Sequence, residues 1–291
     1  MNRERPPLAM PAQSDLDAIE ARPTTVTLVR DLVHETTGLY FADDRTAQLV
    51  DRLSPLVLER GFPSLLDYYY LLKYDTAAAP EEWGRVFDAL AVPETYFWRE
   101  IDQLRALVTV VVPRCVEALE GRPLRIWSVP CASGEEPLTL AMLLEEAGWF
   151  ARAPIEIHAS DASPAAIARA HAGLYRGRAF RNLPPDVRDR FFTREGEAWR
   201  VVPSLQARVR WSVVNLMDPA QAGRRAAAPI VLCRNLFIYF SEQTIRQAVA
   251  MFAARMPRPG YLAVGVSESL LKVTNDFELQ DVAGAFLYVK R

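Results

Sequence analysis

The stretch LRIWSVPCASGEEPLTLAMLLEEAG, residues 124–148, decides the fold. Its apolar opening, Leu124 to Val129, reads as a buried strand. Pro130 breaks the run, and small residues follow from Cys131 to Gly134. A helical pattern then resumes, with Leu138, Met142 and Leu143 on one face and Gly148 where a helix end wants it. Strand, tight glycine-bearing loop and helix form the opening unit of a nucleotide-binding α/β sheet. Gly134 is expected to let backbone approach a ligand, with the N–H groups of the new helix pointing at it.

The next strand, IEIHASD, residues 155–161, ends in a carboxylate 25 residues after Glu136. An acid at that tip is placed to accept hydrogen bonds from both hydroxyls of a ribose. Gly134 is the only glycine in the loop, so the pattern G-x-G-x-x-G is missing. That argues against a dinucleotide pyrophosphate and for a ligand without phosphate, such as S-adenosylmethionine (SAM). ARVRWSVVNLMD returns to the sheet and ends its strand at Asn215. PIVLCRNLFIYF, residues 229–240, begins as a buried strand and is interrupted by Arg234 and Asn235. Polar residues inside such a run are costly unless paired, and ligands of open α/β sheets bind at strand tips.

Ahead of this core, residues 24–91 read as four short amphipathic helices. Gly38 ends the first, the second stops near Gly61, Ser64 caps the third, and Pro80 opens the fourth. The run Tyr68 to Tyr70 reads as packing. Residues 1–22 look like a disordered lead-in. The linker VPETYFWRE, Val92 to Glu100, is aromatic where linkers are usually polar, and a helix follows over 102–119. Behind Asp161, Ser163 and Pro164 start a helix that ends at Gly173. An irregular stretch runs from Leu174 to Leu183, residues 185–192 are helical, and FFTREGEAWRVVP is a hairpin. Ser241 caps a helix to about Met256. A strand over 261–266 and a closing pair, 277–280 and 285–290, complete the chain.

Charge and composition narrow the function classes. Residues 1–90 hold nine basic and 15 acidic residues, the remainder 25 and 21. Neither part is basic enough to suggest a nucleic-acid partner. No apolar run reaches the length of a membrane span. Cys115, Cys131 and Cys233 lack metal spacing and read as reduced core side chains of a cytosolic protein. The three histidines do not cluster, so no metal site is expected.

The ordered motifs PETYFWRE, RIWSVPCASGEEP, ASD, VVNLMD, CRNLFIYF and GVSES, with TGLYF and RLSPLVLERGF before them, carry a resemblance. From about Val29 to Arg291 the chain resembles the CheR-type chemotaxis methyltransferases, cytoplasmic enzymes that esterify protein glutamates with SAM. The resemblance implies a helical domain over 23–91 and a Rossmann-like methyltransferase domain over 92–291, with an inserted β subdomain at 190–212. It implies SAM contacts from Thr95, Arg99, Glu136 and Asp161, and from Asn215 and Leu216 beside the adenine. Arg234, Asn235 and Tyr239 would line the methyl-transfer end, with Arg99 and Tyr239 in catalytic roles. The implied product is S-adenosylhomocysteine, and the implied partner is a helix of a methyl-accepting chemoreceptor. Pro93 stands where family members usually carry asparagine, and it removes a backbone N–H and a side-chain amide.

Methyl transfer from a sulfonium to a carboxylate needs no general base, since glutamate, with a pKa of about 4.3, is already ionised at neutral pH. Alignment and desolvation of opposite charges are the remaining tasks. Arg99 suits orientation of the acceptor, and Tyr239 suits donation to its non-reacting oxygen. Two rival readings keep the same residues: the same core acting on another protein or small molecule, and a SAM-binding signalling module without turnover.

Overall fold

A computed structural model describes residues 19–92 and 94–291. The expectations for residues 1–18 and for Pro93 lie outside the described residues. The chain divides into one compact unit ending at Ala91 and another starting at Val92.

The first unit is helical: α1 (Pro23–Thr37), α2 (Thr46–Glu59), α3 (Leu65–Tyr74) and α4 (Ala79–Leu90). Pro23 sits in the first turn of α1, where its missing N–H is harmless. Gly38 ends α1 in the left-handed region at φ 80°. The Ser64 hydroxyl accepts the Asp67 N–H and caps α3. One apolar face from each helix meets in a core around Val29, Leu53, Leu65 and Val86. Tyr68 and Tyr69 are buried there, whereas Tyr70 is exposed. The Tyr68 hydroxyl donates to Glu82 Oε1 at 2.8 Å, and Arg60 Nε donates to Glu82 Oε2 at 2.8 Å. That pairing is what lets a carboxylate lie fully buried. The described end of the lead-in is ordered: Ile19 joins this core, and Glu20 exchanges backbone hydrogen bonds with Pro63 and Leu65.

The second unit opens with α5 (Ile101–Ala106), a π-helical turn at Leu107–Val111, and α6 (Val112–Leu119). Ten strands follow. Seven of them, β1 (Leu124–Ser128), β2 (Ile155–Asp161), β6 (Val209–Val213), β7 (Ile230–Leu232), β8 (Tyr261–Ala263), β9 (Phe277–Val282) and β10 (Ala285–Lys290), build one sheet in the order β6-β2-β1-β7-β8-β10-β9. The first five run parallel, and β10 is antiparallel to both its neighbours. This is an α/β fold of Rossmann-like order, reversing direction between β1 and β7. Helix α7 (Glu135–Glu146) follows β1, and its residues from Pro137 to Leu144 are buried.

Three strands make a separate antiparallel sheet, β3-β5-β4, from β3 (Leu174–Arg176), β4 (Phe192–Glu195) and β5 (Ala198–Val201). It corrects two expectations. Residues 174–176 are a strand, fixed by pairing of Tyr175 with Trp199 across the sheet, a contact too distant in sequence for local pattern to reveal. The insertion also begins earlier than residue 190 and stops before 209, because Val209 to Val213 pair with β2. Strand β8 ends at Ala263, short of Val266. Beyond it the Gly265 N–H turns to Glu268 Oε2, at 2.6 Å.

Candidate functional site

Five parallel strands end on one edge, and the tips of β1, β2, β6 and β7 carry the polar residues singled out in the sequence. Asp161 closes β2. Its Oδ2 accepts the Ala132 N–H and its Oδ1 the Ser163 N–H, both at 2.9 Å. The carboxylate therefore ties the loop after β1 to the start of the helix Pro164–Ala172. Gly134 has φ 97°, and an added Cβ would lie 2.9 Å from Trp211 Cη2 and 3.0 Å from both Ala170 Cβ and the Tyr175 hydroxyl. The vacant side of this glycine is thus filled by the protein's own side chains. The Tyr175 hydroxyl also donates to the Ser133 carbonyl at 2.7 Å, so β3 of the small sheet grips the same loop.

Glu136 lies in the first turn of α7 and is internally engaged. Oε1 accepts the Ser128 hydroxyl at 2.7 Å, and Oε2 accepts Arg234 Nη1 at 3.0 Å. Burial pushes its carboxyl above the usual range, and the Arg234 charge opposes that shift. Arg234, 5 % exposed at the tip of β7, is the hub. Its Nη2 reaches the Arg99 carbonyl at 2.8 Å and Glu100 Oε2 at 3.1 Å. Its Nε is buried with no acceptor among the described residues.

The linker is held to the insertion and to the strand tips. Glu94 pairs with Arg178 at 3.1 Å and Arg181 at 2.5 Å, and the Arg181 guanidinium lies 3.6 Å from the centre of the Tyr96 ring. The Phe97 ring packs against Tyr175, Phe180 and Phe192. Arg99 is partly buried, with Nη1 on the Glu94 carbonyl at 2.5 Å and Nε 4.0 Å from Glu100 Oε1. Thr95 is partly buried in the same segment. Asn235, at φ 58°, donates through Nδ2 to Glu100 Oε1 at 3.2 Å. Arg99, Arg234, Asn235 and Glu136 are therefore drawn together.

Asn215 and Leu216 lie just past β6. Asn215 Oδ1 accepts the Met217 N–H at 3.0 Å, and Leu216 is buried. Tyr239 closes a 3₁₀ turn, Phe237–Tyr239, and is partly buried. Burial pushes the thiol of Cys131 far up, against any nucleophilic use.

Two acids that the sequence reading left unassigned organise the cluster. Glu100 joins Arg234, Asn235 and the Val266 N–H. Burial alone would raise its carboxyl. The Arg234 charge, with hydrogen bonds from Asn235, Arg234 and Val266, outweighs burial and holds it below the usual range. Glu268, in GVSES, accepts the N–H groups of Asn235 at 2.8 Å, Gly265 at 2.6 Å and Ile238 at 3.2 Å. An acid three residues after a glycine past a strand was the available signal.

A parallel sheet whose strand order reverses between β1 and β7, with polar residues at the strand tips, has the layout of a nucleotide-type ligand site, and the family match makes the class a SAM-dependent methyltransferase. Residues 93–285 match the family described as CheR methyltransferase, SAM binding domain, and residues 25–91 match the CheR methyltransferase all-alpha domain. The chain belongs to the CheR methyltransferase family, and SAM is its cofactor. Chemotaxis protein methyltransferase 2 of Vibrio cholerae is 33% identical over 86% of this chain and 87% of its own length. Chemotaxis protein methyltransferase 1 of Pseudomonas aeruginosa is 29% identical over 90% and 96%. A probable biofilm formation methyltransferase, WspC of Pseudomonas putida, is 33% identical over 77% of this chain, which spans about half of that protein (52%).

Proposed function

We propose that the chain transfers a methyl group to glutamate carboxylates on a cytoplasmic helix of a chemoreceptor-type protein, giving methyl esters. The observation that carries this reading is Arg99. Its backbone is held by Arg234 and its guanidinium by the Glu94 carbonyl, beside a cluster that contains no histidine. A fixed cation beside the strand tips suits a carboxylate acceptor, and a carboxylate needs no base at neutral pH.

SAM supplies an electrophilic methyl on a sulfonium. The residues fit that cofactor. A carboxylate has about four acceptor positions, so ribose hydroxyls at Asp161 add to its backbone contacts. The orphaned Arg234 N–H suits an anionic group such as the cofactor's carboxylate. Glu136 then offsets cationic charge, and the cation in turn favours its ionised form. Arg99 holds one oxygen of the acceptor, leaving the other to react. Tyr239 donates to the non-reacting oxygen. Supporting this division of labour, Arg99 is only partly buried while Arg234 is enclosed.

The net acidic N-terminal unit and the WspC relative favour a second reading, the same chemistry on a different protein acceptor. Incubation with tritiated SAM and a panel of receptor cytoplasmic fragments separates the two. Base-labile tritiated methanol from receptor glutamates is the expected result. Stable label on another protein, with none on receptor fragments, refutes the glutamate assignment.

A further inference from the structure

Gln103, one turn beyond Glu100 in α5, is 7 % exposed. Its Nε2 donates to the carbonyls of Val264 at 3.1 Å and Phe286 at 3.0 Å, across the ends of β8 and β10. Two carbonyl partners fix the orientation of the amide, because a flipped amide would set oxygen against oxygen. Its Oε1 is then the unpaired atom, buried with no donor among the described residues.

Gln103 forms part of the wall of a cavity of ≈ 440 Å³ at the carboxyl edge of β8. Glu100, Asp102 and Glu268 line it, and among the described residues no basic side chain does. Val266, 77 % exposed, and Phe286, 62 % exposed, give it an apolar rim. The partners of Glu268 are neutral backbone N–H groups, Glu100 shares the Arg234 charge with Glu136, and Asp102 has the exposed Arg105 3.6 Å away, so acids outnumber the cations that face them. The lining is therefore short of positive charge. It repels a reacting carboxylate, which belongs on the Arg99 side. What complements it is an N–H-donating cation on an aliphatic stem, the build of lysine and arginine.

We infer that this cavity is a specificity pocket for a basic side chain of the methyl-accepting protein, a lysine or arginine flanking the methylated glutamate. The stem lies between Val266 and Phe286, and the head reaches Asp102 and Glu268, against the wall that Gln103 fixes. This rests on the reading that the acceptor is a protein glutamate.

The test uses the full chain, tritiated SAM and helical peptides carrying one glutamate. A neighbouring position on the same helix face, three or four residues away, is lysine, arginine, leucine or glutamate. The basic peptides should exceed the leucine peptide in kcat/KM by about tenfold, the worth of one charge-assisted hydrogen bond, mostly through KM. The glutamate-flanked peptide should be poorest. Asp102 is largely exposed, so Asp102→Lys should fold; it should reverse the order while SAM affinity, measured by calorimetry, stays the same. Equal turnover of all four peptides overturns the pocket and leaves the glutamate reading standing. No ester on any peptide, with SAM bound normally, overturns that reading and the pocket with it.

Discussion

At the residue scale, Asp161 has two duties that separate experimentally. It holds two backbone N–H groups, and it is assigned to the cofactor's ribose. Asp161→Ala should weaken SAM binding at least about a hundredfold, the worth of two hydrogen bonds to a charged group. It should also lower the melting temperature by several degrees, since each lost kcal/mol is worth about 2–4 °C in a unit this size. A melting shift with unchanged calorimetric SAM affinity would leave only the structural duty. Arg99→Ala should separate differently, keeping SAM affinity and losing methyl transfer by about a hundredfold or more; full turnover would make Arg99 structural. Glu100 adds a pH signature. Its folded carboxyl titrates below the unfolded one, at about pH 4.3, so ionised Glu100 stabilises the fold above that pH. The contribution fades as pH falls through the lower folded value. Glu100→Gln should therefore destabilise at pH 7 and by less near pH 3, read from urea midpoints. An equal loss at both pH values would mean that charge is not the cause.

At the scale of elements, the small sheet and the linker act on the loop after β1. Tyr175 reaches the Ser133 carbonyl from β3, and Gly134 leaves room for Trp211, Ala170 and Tyr175. Gly134→Ala adds a Cβ into that space at a positive φ. It should cost about 1–3 kcal/mol of stability and weaken SAM binding. A Gly134→Ala chain that melts and binds SAM like the parent would mean that the loop adjusts freely. These elements also show what the sequence makes legible. Alternating apolar runs and caps announced β1, β2, α1 and α3, because their signals are local. The acid at the β2 tip and the Arg234–Asn235 pair just past β7 stood out because polar groups at strand ends need partners. Strand β3 did not stand out, since its three residues take their conformation from β5. The roles of Glu100 and Glu268 were hidden for the same reason. Most of their partners lie from 30 to 166 residues away in the chain; the near ones are Arg99 beside Glu100 and Gly265 before Glu268.

At the scale of the whole molecule, each unit carries its own core. The helical unit closes around Leu53, Tyr68 and Val86, and the second unit around Leu138, Ile157 and Leu232. The residues assigned to SAM, Thr95 through Asn235, all follow Val92. A domain with its own core folds alone in principle, so a chain of residues 92–291 should fold and bind SAM with a Kd within about threefold of the full chain, a difference of roughly 0.7 kcal/mol. Residues 19–91 should melt on their own, with Glu82 as their weak point. Its carboxylate is fully buried between Tyr68 and Arg60. Glu82→Ala strands the Tyr68 hydroxyl and should cost about 3–5 kcal/mol there. In the intact chain, calorimetry should then show the helical transition moving down while the SAM-stabilised transition keeps its temperature. If both transitions move together, the chain unfolds as one cooperative body and the separate cores do not act separately.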